Sequence, residues 1–329
     1  MTTKRSSYVF VTVCLAALLI VSMFVAGCTS NGTTASTAAS PAATSTTAGA
    51  AATQAAVPAT SAPVTTAVAT TSAQKQSITI TGSTTVLPIA QAAADAYMKL
   101  HPEANIQISG GGSGVGIQSI GAKTVDIGMS SRDVTSAEKA KYPDFNIVTV
   151  AHDGIAVIVN PQNSIQYITL DQVKGIYTGK ITKWSEISGA DVPNTNNQIV
   201  LIGRDSASGT RSYFDETVLK NANLSKNMLE QNSNGAVAQS VAQTPGAIGY
   251  VSIGFVSSDV KALPIWYNAN KIISPSVDTV KNKTYPVSRD LYMITNGQPT
   301  GLTRDYLDYL LSADGQKIVT EQGYVPLTS

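Results

Sequence analysis

From Ser77 onward the chain alternates short runs of β-type hydrophobic residues with longer segments whose apolar positions recur every three or four residues. Ser77-Ile-Thr-Ile-Thr81 reads as a strand. Pro88 to Leu100 then puts Ile89, Ala92, Ala93, Ala96, Tyr97 and Leu100 on one helical face, with Pro88 in the first turn. Ala104 to Ser109 alternates as a strand, and Gly114 to Gly121 is a short helix. Val125 to Gly128, Asn146 to Ala151 and the all-apolar Gly154 to Val159 are further strands, the last buried on both faces. Thr169-Leu-Asp-Gln172 is a capping box that opens a helix to Tyr177. Ile199 to Gly203 and Ala247 to Val251 are strands, and Ser212 to Lys220 and Gly235 to Gln243 are helices. The tail gives helices over Gly301 to Leu311 and Ser312 to Gln322. Strands alternating with helices predict an α/β protein with a largely parallel sheet.

The polar breaks in this pattern share one character. Thr81-Gly-Ser83-Thr84-Thr85 joins the first strand to its helix, and Ser109-Gly-Gly-Gly-Ser113-Gly114 joins the next pair. Arg204-Asp-Ser-Ala-Ser208-Gly209-Thr210-Arg211 follows the Ile199 strand and precedes a helix, with an arginine at each end. Unpaired N–H groups and the positive dipole end make a helix start an anion site. Ser and Thr there are equally ordinary N-caps. Ligands of open α/β sheets bind beyond the carboxyl ends of the strands, so three such turns can converge on one anion. A nucleotide is excluded: the glycine-rich turn has no phosphate-loop lysine, and Ile117 stands where a dinucleotide fingerprint needs its third glycine.

Val125-Asp126-Ile-Gly-Met-Ser130-Ser131-Arg132 adds a carboxylate and two hydroxyls. A carboxylate beside an anion is repulsive unless the anion carries a proton, as hydrogen phosphate does and sulfate does not. Asp126 in that position would accept the proton and reject sulfate, because a site built to bond a hydrogen discriminates strongly against an analogue that lacks it. Its other reading is a turn cap or a partner of Arg132.

The ends of the chain bear on location. Lys4 and Arg5, an apolar run from Tyr8 to Ala26, and Val25-Ala26-Gly27 before Cys28 have the layout of a secretory signal over 1–28; an uncleaved anchor is the alternative. The following segment, 29–76, is almost entirely Ala, Thr and Ser, too poor in apolar faces to offset its ordering entropy, and reads as a disordered tether. The only cysteines, Cys14 and Cys28, lie in the signal and at its end, so the exported domain rests on its core rather than on disulfides. A formal charge of +1 gives no basic field for nucleic acid. His101 and His152 are far apart, and no His/Cys/carboxylate grouping has metal-ligand spacing. Tyr177 and Trp184 read as packing residues, and His152-Asp153 lies where a hinge is expected.

In order and spacing, Thr81-Gly-Ser-Thr-Thr-Val, Gly110-Gly-Gly-Ser-Gly, Val125-Asp-Ile-Gly-Met-Ser-Ser-Arg, Ile176-Tyr-Thr-Gly-Lys-Ile-Thr-Lys-Trp184, Gly203-Arg-Asp-Ser-Ala-Ser-Gly-Thr-Arg211 and Gly246-Ala-Ile-Gly-Tyr250 resemble the substrate-binding proteins of phosphate ABC importers. The resemblance implies the two-lobe type II periplasmic-binding-protein fold, here with one lobe from 77–153 and 257–329 and the other from 154–256. It implies an inorganic phosphate ligand held by hydrogen bonds, no cofactor and no catalysis. Partners would be a permease and an ATPase, and the chain would be a monomer held on the extracytoplasmic face of the cell membrane by a lipid on Cys28, whose setting resembles a lipobox. Residue by residue, Ser208, Gly209, Thr210, Ser113 and Gly114 would donate to phosphate, Arg204 would pair with it and Asp126 would accept its proton. Ser83, Thr84 and Thr85 are looser assignments, and Ser130, Ser131 and Arg211 would line the site. Some relatives carry a carboxylate two residues after the arginine, where this chain has Ser206. The alternatives are a receptor for sulfate, molybdate or tungstate, a secreted phosphatase of related fold, or a surface adhesin or sensor.

Overall fold

A computed structural model describes residues 76–188, 190, 197–268 and 271–327. The segment read as a signal, Cys28 and the segment read as a tether lie outside the described residues, except that Gln76, read as the end of the tether, begins β1. The chain runs β1 (Gln76–Gly82), α1 (Leu87–Leu100), β2 (Ala104–Ser109), α2 (Ser113–Gly121), β3 (Ile127–Ser130), α3 (Ser136–Lys141) and β4 (Phe145–Val159). It continues through α4 (Leu170–Tyr177), β5 (Val200–Arg204), α5 (Gly209–Thr217), β6 (Leu229–Gln231), α6 (Asn234–Gln243) and β7 (Ala247–Ser252). Short strands β8 (Lys261–Ala262), β9 (Ile265–Tyr267) and β10 (Lys271–Ile273) precede α7 (Val277–Lys281), β11 (Ser288–Asn296), α8 (Gly301–Leu311) and α9 (Ala313–Glu321).

The main sheet has the order β2-β1-β3-β11-β4-β7-β5-β6, with β8 on β4. It is mixed rather than largely parallel: β2, β1 and β3 are mutually parallel, as are β6, β5 and β7, but β11 and β4 run against their neighbours. The two strands expected over 146–151 and 154–159 are one continuous strand, β4. Its first part, Phe145 to Gly154, pairs with β11, and its last part, Ile155 to Val159, pairs with β7. Gly154 stands at the change of partner, and a Cβ there would meet Val280 Cγ2 at 2.6 Å.

Two large apolar clusters flank that change of partner. One gathers Ile80, Ile89, Ala93, Ile127, Met129, Leu291, Met293 and Tyr306. The other gathers Ile155 to Val159, Ile176, Tyr177, Trp184, Phe214, Val237 and Tyr250, and also draws in Val260, Leu263, Ile265, Val280, Tyr285 and Val287. Tyr177 and Trp184 are fully buried packing residues; their polar ends donate to the carbonyls of Ile202 (2.9 Å) and Gly246 (2.9 Å). Burying aromatic bodies while pairing their polar ends avoids the desolvation penalty of an unmet donor. His101 ends α1 and stacks on Tyr97, with ring centroids 4.3 Å apart.

Candidate functional site

The turns after β1, β2, β3 and β5 meet one another. β1, β2 and β3 are parallel and carry their carboxyl ends to one side, β5 runs the opposite way in the other half of the sheet and brings its carboxyl end to meet them, and each of these strands runs into a Ser/Thr/Gly turn. Ser83, Thr84, Thr85, Ser113, Ser131, Arg204, Ser208 and Thr210 are all buried there. Close backbone approach makes this possible. Gly114 N–H donates to Ala207 O at 2.9 Å, and a Cβ on Gly112, whose φ is +94°, would stand 2.6 Å from Ala207 O. A Cβ on Gly209 would fall 2.2 Å from Ser113 Oγ, so only glycine admits the β2 turn against the start of α5.

Helix α5 begins at Gly209, three residues earlier than the apolar periodicity places it, because Ser208 caps it: Arg211 N–H donates to Ser208 Oγ at 3.2 Å. The N–H groups of Gly209 and Thr210 find no acceptor among the described residues. Ser131 N–H donates to Ser113 Oγ (3.0 Å), and the two hydroxyl oxygens are 3.3 Å apart. Thr85 and Thr210 hydroxyls meet at 3.1 Å. The turn after β1 is thereby bonded to the first turn of α5.

Arg204 is 1% exposed. Its guanidinium donates to Gln231 O, Asn232 O and Thr84 Oγ1, each at 3.2 Å, and no carboxylate among the described residues lies within ion-pair distance. Burial lowers its pKa from 12.5 to about 10, leaving it charged at neutral pH. A buried cation met only by neutral oxygens is expensive, and an anion offsets that cost.

A second buried cation enters from β11. Arg289 Nε and Nη2 donate to Asp153 Oδ2 at 3.0 and 2.8 Å, Nη1 to Ser131 O at 2.9 Å, and Nη2 also to Thr210 Oγ1 (3.0 Å) and Thr85 Oγ1 (3.3 Å). Asp153 Oδ1 accepts from Ser252 Oγ at 2.7 Å. Burial pushes the Asp153 carboxyl up, against the pull of Arg289 and the Ser252 hydroxyl. Removing one partner of such a pair costs about 3–5 kcal/mol, because it strands the other charge. Arg204, Arg289 and Asp153 together leave the site with one net positive charge.

Three residues expected at the site have other partners. Asp126 precedes β3 at its amino end, whereas the turns meet at the carboxyl ends. A four-residue strand at ~3.3 Å per residue separates the two by roughly 13 Å. Its exposed carboxylate accepts from Thr79 N (2.7 Å) and Thr79 Oγ1 (3.1 Å), pairing neither with an anion site nor with Arg132, whose partner is Glu138. Ser130 Oγ donates to Arg132 O (2.7 Å), closing a local turn. Arg211 stays at the edge of the cluster, its Nη1 donating to Arg204 O at 3.0 Å and to Glu230 at 2.6 Å while its Nε faces Asp215.

Sequence reasoning missed Arg289, Asn234 and the role of Asp153. Asn234, the first residue of α6, donates through Nδ2 to Thr85 Oγ1 (2.9 Å) and Thr84 Oγ1 (3.3 Å) and accepts from Ser252 N. A usable signal lay in β11: period-two alternation puts Arg289 on the face of the buried Leu291 and Met293. A charged residue in phase with two core residues has to be paired inside.

The PBP superfamily domain matches residues 40–314. The chain is 39% identical over 256 residues to the phosphate-binding protein PstS of Bacillus subtilis, covering 77% of this chain and 81% of that one. The chain belongs to the phosphate-binding-protein family of the PBP superfamily. A crystal structure from Clostridium perfringens, described as a phosphate ABC transporter substrate-binding protein with bound phosphate, is 33% identical. It matches with a TM-score of 0.71, covering 77% of this chain and all of that one. An ABC-type phosphate transport receptor from Vibrio cholerae is 31% identical with a TM-score of 0.62, over 75% of this chain and 99% of that one. The fold of this family member is the type II periplasmic-binding-protein fold.

Proposed function

We propose that this chain is an extracytoplasmic receptor that binds inorganic phosphate and delivers it to an ABC importer. The observation that carries the reading is Arg204, a buried guanidinium with no carboxylate partner among the described residues, beside a cluster of serine and threonine hydroxyls. The net positive charge calls for an anion, and the many neutral donors suit a dehydrated tetrahedral oxyanion. Phosphate is favoured among oxyanions by the names of the relatives. The sulfate-type reading keeps a specific observation in its favour, since Asp126 does not stand at the site to demand a protonated ligand.

The donors are Ser113, Ser131, Thr84, Thr210 and the N–H groups of Gly209 and Thr210. The mechanism is binding without turnover, and neither histidine hydrogen-bonds a buried serine: His152 pairs with Asp290 at 2.6 Å and His101 stacks on Tyr97. Two lobes, built on the two apolar clusters and joined where β4 changes partner, would close over the ligand as hinged domains do. In the same reading the chain acts as a monomer, a lipid on Cys28 and the 29–76 tether hold it at the membrane surface, and a permease with its ATPase receives the closed form.

Calorimetric titration of phosphate, arsenate and sulfate into the purified protein tests this. Phosphate and arsenate are expected to bind one to one and sulfate more weakly. Sulfate binding as tightly as phosphate would move the assignment to another oxyanion, and hydrolysis of a phosphate ester would refute the non-catalytic reading.

A further inference from the structure

The buried ion pair of Arg289 and Asp153 lies where β4 leaves β11 for β7. Asp153 is the register partner of Arg289 across β11, and Ser252, which donates to Asp153, ends β7 next to the pairing of Ile155 with Ser252. Arg289 nevertheless spends its Nη2 on more than the carboxylate. Of that nitrogen's two hydrogens, one is directed to Asp153 Oδ2, and the other is shared between Thr85 Oγ1 and Thr210 Oγ1.

Counting lone pairs then fixes the direction of the hydroxyls. Asn234 is oriented by Ser252 N–H, which donates to its Oδ1, so its Nδ2 faces the threonines and gives one hydrogen to Thr84 and one to Thr85. Thr85 Oγ1 therefore accepts from both Asn234 and Arg289, and a hydroxyl oxygen has two lone pairs. Its own hydrogen is left to donate, and the oxygen in reach is Thr210 Oγ1 at 3.1 Å. Thr210 Oγ1 now accepts from Thr85 and Arg289, so its hydrogen must point onward, beside the uncommitted N–H groups at the start of α5. Thr84 Oγ1, accepting from Arg204 and Asn234, is likewise left with an outward hydrogen.

We propose that Arg289, held by Asp153, is a positioning residue that sets the polarity of the Thr85–Thr210 hydroxyl chain, making Thr210 an obligate donor to the bound anion. The inference rests on the anion-binding reading and deepens it. A shell of forced donors suits the ligand with fewer protons, so dibasic phosphate is preferred over monobasic. The Ser113–Ser131 pair, whose internal direction is free, is the place that can accept the remaining phosphate proton. Sulfate, which has no proton to donate, gains nothing from that acceptor.

The test uses the full chain freed of bound phosphate. Arg289→Gln with Asp153→Asn replaces the ion pair by amides of similar shape and strands no charge. Wild-type affinity for inorganic phosphate is expected to rise about tenfold across the second ionisation of phosphate, and the double variant to bind roughly 10- to 100-fold more weakly with that rise largely lost. Its hydroxyls can turn round and accept a proton, a change that a purely structural pair would not produce. Sulfate affinity is expected to fall as well, with no dependence on pH in either protein. A double variant that keeps the wild-type affinity and pH profile overturns the proposal. If circular dichroism shows the double variant unfolded, Thr210→Val and Thr210→Ser decide. Serine is expected to bind within about threefold of wild type and valine at least about tenfold worse, whereas equal binding by all three overturns the proposal. A wild-type protein that binds neither anion would instead refute the anion-binding reading on which this rests.

Discussion

Arg204→Met separates binding energy from folding energy at the centre of the site. The arginine is buried, donates to three neutral oxygens and has no carboxylate partner among the described residues. Its pKa falls from 12.5 to about 10, so at ~1.4 kcal/mol per unit the folded protein carries roughly 3 kcal/mol of unfavourable energy for holding that charge. Methionine fills much of the same volume, removes that term and gives up three hydrogen bonds with an ordinary net worth of about 0.5–1.5 kcal/mol each, their charge-assisted part being already contained in the lowered pKa. These effects oppose each other, so the ligand-free melting temperature is expected to move by only a few degrees, at about 2–4 °C per kcal/mol for a domain of this size. Binding has no such compensation. Loss of one partner from a buried, hydrogen-bonded charge pair costs about 2–5 kcal/mol, a weakening of roughly 30- to several thousand-fold. Titration calorimetry gives the affinity, and scanning calorimetry with and without phosphate gives the linkage. Wild-type protein at ~100 times Kd gains about 2.7 kcal/mol, and the variant at the same phosphate concentration should gain at most about 0.9 kcal/mol. A variant that binds phosphate within about threefold of wild type would refute the role assigned to Arg204.

Asp126→Asn is expected to leave phosphate and sulfate affinities within about twofold of wild type, because its carboxylate bonds Thr79 at the far end of β3; a large change by titration would return Asp126 to the site. Gly209→Ala drives a methyl group into Ser113 Oγ, and phosphate affinity should fall at least about tenfold while the far-ultraviolet spectrum is kept. Glu138 is held at about 2, below its ordinary 4.5, chiefly by its hydrogen bonds from Arg132. A carboxyl lowered on folding contributes above the unfolded value and loses that contribution as pH falls from about 4.5 through about 2. Glu138→Gln should therefore flatten the acid limb of melting temperature against pH, while costing less than about 1 kcal/mol at neutral pH, since the pair is partly solvated.

How much of the site could be read from the chain follows from what makes each part. Hydroxyl and glycine turns between a strand and a helix are local signals, so Ser83 to Thr85, Ser113 and Ser208 to Thr210 were visible. Caps were visible for the same reason: the Thr169 to Gln172 box forms as its spacing requires. Asp126 failed because proximity to Ser130 and Ser131 in sequence is not proximity in an extended strand, where each residue adds over 3 Å. Arg289 was not legible as a site residue because nothing near it in sequence belongs to the cluster; its partners are 136, 158 and 204 residues away.

The sequence by itself determined the alternation of elements, the Ser/Thr/Gly character of the turns and the presence of an arginine at the end of β5. Those properties arise from periodicity, capping and backbone freedom, which act over a few residues. Only the tertiary structure decided the mixed sheet, in which antiparallel β11 enters beside β3 and β4 threads both halves. It alone decided which carboxylate is buried and to which cation it is bound. Desolvation is a property of enclosure, and enclosure here is made by strands that meet from opposite ends of the chain.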